Sequence, residues 1–420
     1  MIKLMNRESN KFYLFSGIIA FALCVLWVVF VKSVPYSDFN YYHTLAESIA
    51  HGGAWGNTYT SVGYAIVLGY VYKIFGVSIV VGKVFNLFLT LISYVTLFCL
   101  LKKLDISEAK RKIIFLMFIF FPCNIFYNSI LAVEIFFTTF FLITANVYFS
   151  NNRFKYIIIG ILTGIETMTK PFFIAIFFAI FLVELIKDRK IIKPLIHSIT
   201  VLVICCIVVS PFVYRNTKMM GQYTGISNNG GIVLYINNNS QNTWGRWMDV
   251  AKVKDSIALT KEYKKANMTQ KNHMLSAAAK KWIKSHPLGF AELGFKRLLN
   301  TYYVGDDIIY TFNGAGLGKT AEYMILVITN LIRNLVFIPA TVGIIAYSVI
   351  VIGKIIKGKS DELDKFSLYA LITFYMFTGV YFITEGQGRY AFPSILLLIY
   401  FFLSIVKVDK LFDREKTIFY

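Results

Sequence analysis

Long apolar runs broken by short polar stretches dominate this chain of 420 residues. A membrane-spanning helix needs about 20 predominantly apolar residues. Runs approaching that length occupy 12–31, 77–101, 112–128, 131–149, 156–170, 171–187, 191–213, 323–352, 366–384 and 389–407. The pattern predicts an all-α polytopic membrane protein with about 10 transmembrane helices. The run 323–352 is long for one span, and Arg333 inside it places its first part at the interface. The first run follows Lys3, Arg7 and Lys11, lacks a small-residue cleavage site, and reads as a retained anchor.

Residues 61–76 are short for a span, punctuated by Gly63 and Gly69 and interrupted by Lys73. Charge decides their place. If they do not span, one set of basic clusters shares the side of the amino terminus. These are Lys102/Lys103/Lys110/Arg111/Lys112, Arg153/Lys155, Lys187/Arg189/Lys190/Lys193, Lys354/Lys357/Lys359/Lys365 and the tail Lys407/Lys410/Arg414/Lys416. If they do span, every cluster moves to the opposite side. Cytoplasmic loops carry the excess of Lys and Arg. Residues 61–76 are therefore expected as a juxtamembrane helix on the outer surface, with both termini cytoplasmic and the chain in the plasma membrane. Outside with them lie the loop 32–60, the turn Pro122–Asn128, the edge Thr169-Lys170-Pro171, the turn Glu385–Arg389 and the stretch 214–321. A structureless loop of that last length is uncommon. It is expected to form a mostly helical extracytoplasmic cap, with a lysine-rich helical segment near 256–285. The organisation is then a transmembrane module 1–213 with its outer loop 32–76, a cap 214–322, and a second transmembrane module 323–420.

Composition supports a lipid-solvated chain, because 57% of residues are hydrophobic where roughly half is usual for a soluble domain. The formal net charge of +20 falls mostly in short breaks between apolar runs and in the long loop. That distribution suits anionic lipid headgroups and argues against nucleic acid, which needs basic charge clustered on a folded module. Cys24, Cys99, Cys123, Cys205 and Cys206 all lie in or beside apolar runs, so neither a disulfide framework nor a cysteine zinc site is expected.

Several polar residues stand where chemistry could sit. Asp38 is the first acid after the first run, in Val34-Pro35-Tyr36-Ser37-Asp38-Phe39. It could take a proton from an acceptor hydroxyl, or Ser37 or Asp38 could cap the amphipathic helix that follows. Glu134 lies in the outer end of an apolar run and Glu166 nearer the middle of another. An acid there is costly and marks a functional candidate; a hydrogen bond to a neighbouring helix is the structural alternative. Lys170, Arg215 and Arg389 sit at the outer ends of three different runs. They could grip a lipid phosphate or simply snorkel to headgroups. Asp38 could hold a divalent cation with His43, His51 or Glu47, but no ligand spacing demands one, and none is assigned. Asp306-Asp307 reads as a solvated loop pair. No phosphate-cradling glycine loop, catalytic Ser or Cys triad, or nucleotide motif is evident. Nucleotide sugars and ATP are cytoplasmic, so a synthetic site on the outer face needs a donor already activated there. A polyprenyl-phosphate sugar supplies both the leaving group and the membrane address.

Taken in order, a set of short motifs resembles the GT-C superfamily of integral-membrane glycosyltransferases. The likeness is to the bacterial branch similar to dolichyl-phosphate-mannose protein mannosyltransferases. Its carriers are Tyr36-Ser37-Asp38, Ser61-Val62-Gly63-Tyr64 with Lys73-Ile74-Phe75-Gly76, Pro122 through Asn128 to Glu134, and Gly160…Gly164…Thr169-Lys170-Pro171. Then follow Ser210-Pro211-Phe212…Arg215-Asn216…Gly221…Ser227-Asn228-Asn229-Gly230-Gly231…Asn237-Asn238, His286-Pro287, and Arg389-Tyr390…Pro393. Val62 and Ala65 stand where the family has proline, Phe212 where it has tryptophan, and Lys170 where it has arginine. Lysine keeps the charge but loses the bidentate fork.

The resemblance implies a GT-C-like bundle and an inverting sugar transfer on the outer face. Asp38 would deprotonate the acceptor while Lys170, Arg215, Arg389 and Tyr390 hold the carrier phosphate. Glu134, Tyr64, Asn216, Asn237, Asn238 and Glu385 would contact substrate. The implied partners are a polyprenyl-phosphate-linked sugar, membrane lipids, and a cell-envelope glycan, lipid or protein acceptor. The rival readings are a polysaccharide polymerase or ligase, and a flippase or transporter of lipid-linked glycans. A transporter should show repeat symmetry and charges deep in several central spans, whereas the polar candidates here gather at one face.

Overall fold

The computed structural model describes residues 2–305 and 307–406, with backbone alone for 2–9. The tail Lys407/Lys410/Arg414/Lys416, the side chains of Lys3 and Arg7, and Asp306 lie outside the described residues. All regular structure among the described residues is helical. The first half carries α1 (Ile2–Phe30), α2 (Asp38–Ala50), α3 (Gly63–Phe75), α4 (Ile79–Leu101), α5 (Glu108–Ile119), α6 (Pro122–Phe126), α7 (Val133–Tyr148), α8 (Lys155–Thr167), α9 (Ile176–Asp188) and α10 (Ile192–Met220). A cap follows with α11 (Gly230–Asn237), α12 (Lys261–Lys265), α13 (Met268–Ser285) and α14 (Pro287–Tyr302). The bundle closes with α15 (Lys319–Ile356), α16 (Lys365–Ile383) and α17 (Ile395–Ile405).

Side-chain contacts define two ends of the bundle. At the basic end, Tyr13 donates to Glu108 at 3.0 Å, Lys103 to Asn146 at 2.6 Å, and Lys187 to the Leu363 carbonyl at 2.7 Å. Lys365 lies over the Tyr148 ring, and Lys354 pairs with Glu362 at 3.3 Å. At the other end, Lys83 donates to the Ser33 carbonyl at 2.8 Å, and the Gly63 amide donates to the Met168 carbonyl at 3.0 Å. Among the described residues, ten stretches therefore run from end to end: α1, α4, the α5–α6 pair, α7, α8, α9, α10, α15, α16 and α17. The α2–α3 hairpin leaves and returns at the same end.

This is a multi-pass helical membrane protein. Among the described residues, six helices are long and apolar enough to cross a membrane by themselves, and the α5–α6 pair would be a seventh if counted as one span. That pair bends by 52° where Pro122 opens α6, since proline cannot donate to the preceding turn. α7, α8 and α9 have 16, 13 and 13 residues, short of the ~20 that a straight span needs. Each is lengthened by irregular turns at the site end, where polar side chains occupy the missing length. α15 is longer than its apolar run, at 38 residues. The Arg333 side chain faces protein: it is buried and donates to the Thr301 carbonyl of α14.

Two packing devices fix the site end. Gly160 and Gly164 of α8 face α10 so closely that an added Cβ would lie 2.6 Å from the Ile204 and Val208 Cβ atoms. Small residues at this spacing let membrane helices approach. Arg297 of α14 is fully buried and staples the cap to the bundle. Its Nε donates to the Phe382 carbonyl at 2.7 Å, and NH1 donates to the Asn237 carbonyl at 2.6 Å.

Candidate functional site

Asp38 opens α2 immediately after the chain leaves α1. The exit is clamped: Val34 donates its amide to the Asn313 carbonyl, and the Asn313 amide side chain returns a bond to the Val34 carbonyl, both at 2.8 Å. Ser37, before the helix, has φ 52° and makes no side-chain cap bond. Non-glycine residues rarely occupy that region. The Asp38 carboxylate does not cap the helix either. Its Oδ2 accepts from Arg389 NH2 at 2.8 Å, across 351 residues of sequence.

Arg389 is the hub. It lies at the start of a 3₁₀ turn (Gly388–Ser394) leading into α17, with its backbone amide donating to Asp307 Oδ2 at 3.0 Å. Its Nε donates to Gln387 at 2.7 Å, and Gln387 donates to Glu385 at 2.8 Å. Tyr390 closes this chain by donating to the other Glu385 oxygen at 3.0 Å. The guanidinium lies over the rings of Phe39, Tyr310 and Tyr390.

Glu134, in the first turn of α7, sits between two cations: 3.9 Å from Lys170 Nζ and 4.0 Å from Arg389 Nε. It is buried, and neither carboxylate oxygen has a hydrogen bond among the described residues. Lys170, between α8 and the turn Pro171–Ala175, lies over the Tyr390 ring at 5.1 Å. Among the described residues, no hydrogen bond occupies Lys170 Nζ or Arg389 NH1. Two cations thus converge with donors unspent.

Two cavities of about 390 Å³ flank this pair and share Glu134, Lys170, Asn229, Glu385, Arg389 and Tyr390 as a common wall. The first continues along apolar side chains: Phe137, Phe172, Val380, Tyr381 and Pro393. The second holds Asp38 with Tyr41, Tyr42, Tyr59, Thr60, Ser61 and Trp247. Burial raises the phenols of Tyr41 and Tyr42, and pushes Tyr310 up to about 12. Those phenols stay protonated near neutrality, and the carboxylates facing the second cavity are Asp38 and, on the shared wall, Glu134 and Glu385.

Other sequence candidates lie apart. Arg215 donates to the Gly56 carbonyl and to Asn216 Oδ1, and it lines neither cavity. Asn216 donates to the Gly225 and Ile226 carbonyls. Asn237 and Asn238 brace α11 against the Arg297 staple through their own backbone and the Ile383 carbonyl. Tyr64 is buried behind Tyr42, its ring edge-on at 5.4 Å. None of these five lines either cavity. Glu166 is fully buried one helical turn before Lys170, and its carboxylate has no hydrogen-bond partner among the described residues.

Sequence reasoning missed Gln387, Tyr310 and Phe39, and took Asp307 for a solvated loop acid, whereas it anchors the Arg389 backbone. Only the tight Glu385–Arg389 turn, where five polar or glycine residues precede Tyr390, carried any local signal. The residues around Asp38 do not fit a divalent cation. The carboxylate is bonded to a guanidinium, His43 is spent on Tyr72 at 2.9 Å, and no three His, Cys, Asp or Glu converge among the described residues.

No protein-family model and no curated protein matches the chain. Among solved structures, one match is the Archaeoglobus fulgidus oligosaccharyltransferase tethered by a disulfide to an acceptor peptide containing the NVT sequon. It is 12% identical, with a TM-score of 0.49. The match covers 96% of this chain and 50% of that one, so this chain spans about half its length.

Proposed function

We propose that the protein is a GT-C-type glycosyltransferase that moves a sugar from a polyprenyl-phosphate carrier to an acceptor hydroxyl at the outer face of the membrane. One observation carries this reading: two cations with free donors lie between an apolar cavity and a carboxylate-bearing one. The carrier enters the apolar cavity and sets its phosphate on Lys170 and Arg389. The acceptor enters beside Asp38. Asp38 accepts the hydroxyl proton as the acceptor oxygen bonds to the anomeric carbon. The carbon–oxygen bond to phosphate breaks, and the phosphate leaves with the electron pair. Preorganised cations aimed at a developing oxyanion stabilise such a step strongly. Attack and departure on opposite sides of the shared wall make the transfer inverting. Cytoplasmic loops carry the excess of Lys and Arg, so the basic end faces the cytoplasm and the cap and site face outward.

The test is purified protein in lipid, offered a panel of polyprenyl-phosphate sugars. Asp38→Asn should cut turnover by roughly 10²–10⁴-fold, the usual worth of a general base, while carrier binding persists. Equal turnover in that variant removes Asp38 as the base. Unchanged carrier affinity in Lys170→Ala/Arg389→Ala removes the phosphate site.

A further inference from the structure

The cavity beside Asp38 has chemistry that the transfer step alone does not explain. Beyond the shared wall it is lined by four aromatic rings, Tyr41, Tyr42, Tyr59 and Trp247, with the hydroxyls of Thr60 and Ser61 among them. Two of the rings come from distant parts of the chain, the first outer loop and the cap, and both are open to solvent. Trp247 is 67% exposed and Tyr59 is 44% exposed. Among the described residues neither ring stacks on another aromatic side chain, and neither the indole N–H nor the phenol O–H has a hydrogen-bond partner.

Their backbones, by contrast, are tied down. The Tyr59 amide donates to Asn57 Oδ1 at 2.9 Å, and its carbonyl accepts from the Asn228 amide at 3.1 Å. The loop before Trp247 is held by Asn242, which donates to the Arg246 carbonyl at 2.8 Å and accepts from the Gly245 amide at 2.6 Å. Large aromatic faces held rigidly in water at a cavity mouth mark a binding surface. Tyr and Trp supply such faces with one apolar side and one polar tip.

We propose that this cavity is an acceptor subsite for a saccharide, with Trp247 and Tyr59 as its stacking faces. A pyranose ring has a C–H face that packs on an aromatic ring, and a rim of hydroxyls that Thr60, Ser61 and Gln387 can meet. Seated there, one rim hydroxyl comes to Asp38. The inference rests on the reading of Asp38 as the base that activates the acceptor.

The test uses the full-length protein in lipid nanodiscs, a radiolabelled polyprenyl-phosphate sugar, and an envelope fraction from its own cells as acceptor. Protease digestion then separates glycan from peptide. Label should enter the glycan as a sugar–sugar linkage. Trp247→Ala should raise the acceptor concentration at half-maximal rate roughly fivefold to tenfold, in line with one lost aromatic contact, with carrier affinity unchanged. Trp247→Phe should restore most of the loss. Label in the peptide, or an acceptor dependence that ignores Trp247→Ala, overturns the inference. If no carrier binds to the wild-type protein, the cation-pair reading fails on its own. The saccharide inference then depends on Trp247 emission, read with the other four of the five tryptophans replaced by Phe. Saturable quenching by an N-acetylglucosamine trisaccharide keeps it, and a flat titration removes it.

Discussion

Arg389 touches both halves of the proposed chemistry. It holds the Asp38 carboxylate at 2.8 Å and shares Glu134 with Lys170. Both Arg389→Ala and Lys170→Ala should therefore lower carrier affinity and turnover, with the larger loss of turnover in Arg389→Ala, which also frees Asp38. Steady-state rates beside direct carrier binding separate the two; identical profiles would dissolve the distinction. Glu134 supplies the negative charge that keeps the two cations side by side in the absence of carrier. Removing one member of a buried ionic cluster leaves the others uncompensated, at a cost on the order of 2 kcal/mol or more. Glu134→Gln should lower the thermal midpoint, and added polyprenyl phosphate should recover more of it than in the wild type, because the ligand's charge replaces the lost one. A midpoint equal to wild type, or no extra recovery, would show that Glu134 has another task.

At the scale of elements, the position of Lys170 is set by how α8 leans on α10. Gly164→Val puts extra carbon where an added Cβ already lies 2.6 Å from Val208. Overpacking of this kind costs about 1–3 kcal/mol. The expected result is a lower unfolding midpoint and weaker carrier binding, since α8 ends three residues before Lys170. Thermal unfolding with and without carrier checks both. Gly386 makes a second close approach, where a Cβ would collide with the Arg297 backbone. Gly386→Ala should displace Glu385 and Gln387, and turnover should fall more than stability does. A loss confined to stability would detach that turn from the site. The Gly-x-x-x-Gly spacing and the bend at Pro122 can be read locally. The Arg297 staple cannot, because its acceptors are carbonyls at residues 237 and 382.

For the whole molecule, the short connecting loops rich in Lys and Arg gather at one end, and the side they face is testable. In a variant without its native cysteines, Lys281→Cys in the cap should react with an impermeant thiol reagent applied outside intact cells. Lys357→Cys at the basic end should react only after permeabilisation. The reverse pattern would invert the topology and place the site where nucleotide sugars are available.

Amphipathic and apolar periods are local properties of the chain, and lipid enforces them because every backbone polar group must be satisfied within its own helix. The sequence alone therefore determined a multi-pass helical bundle, the helices near 256–285, and the separate standing of 61–76. It also marked Asp38, Glu134, Lys170 and Arg389 as charges near the outer ends of different runs. Only the tertiary structure decided which of those charges meet. Asp38 reaches Arg389 over 351 positions, Asp307 is drawn in as a backbone anchor, and Arg215 is spent on the Gly56 carbonyl. Pairing of this kind depends on how helix ends are stacked and which carbonyls they leave exposed, and no period along the chain records that.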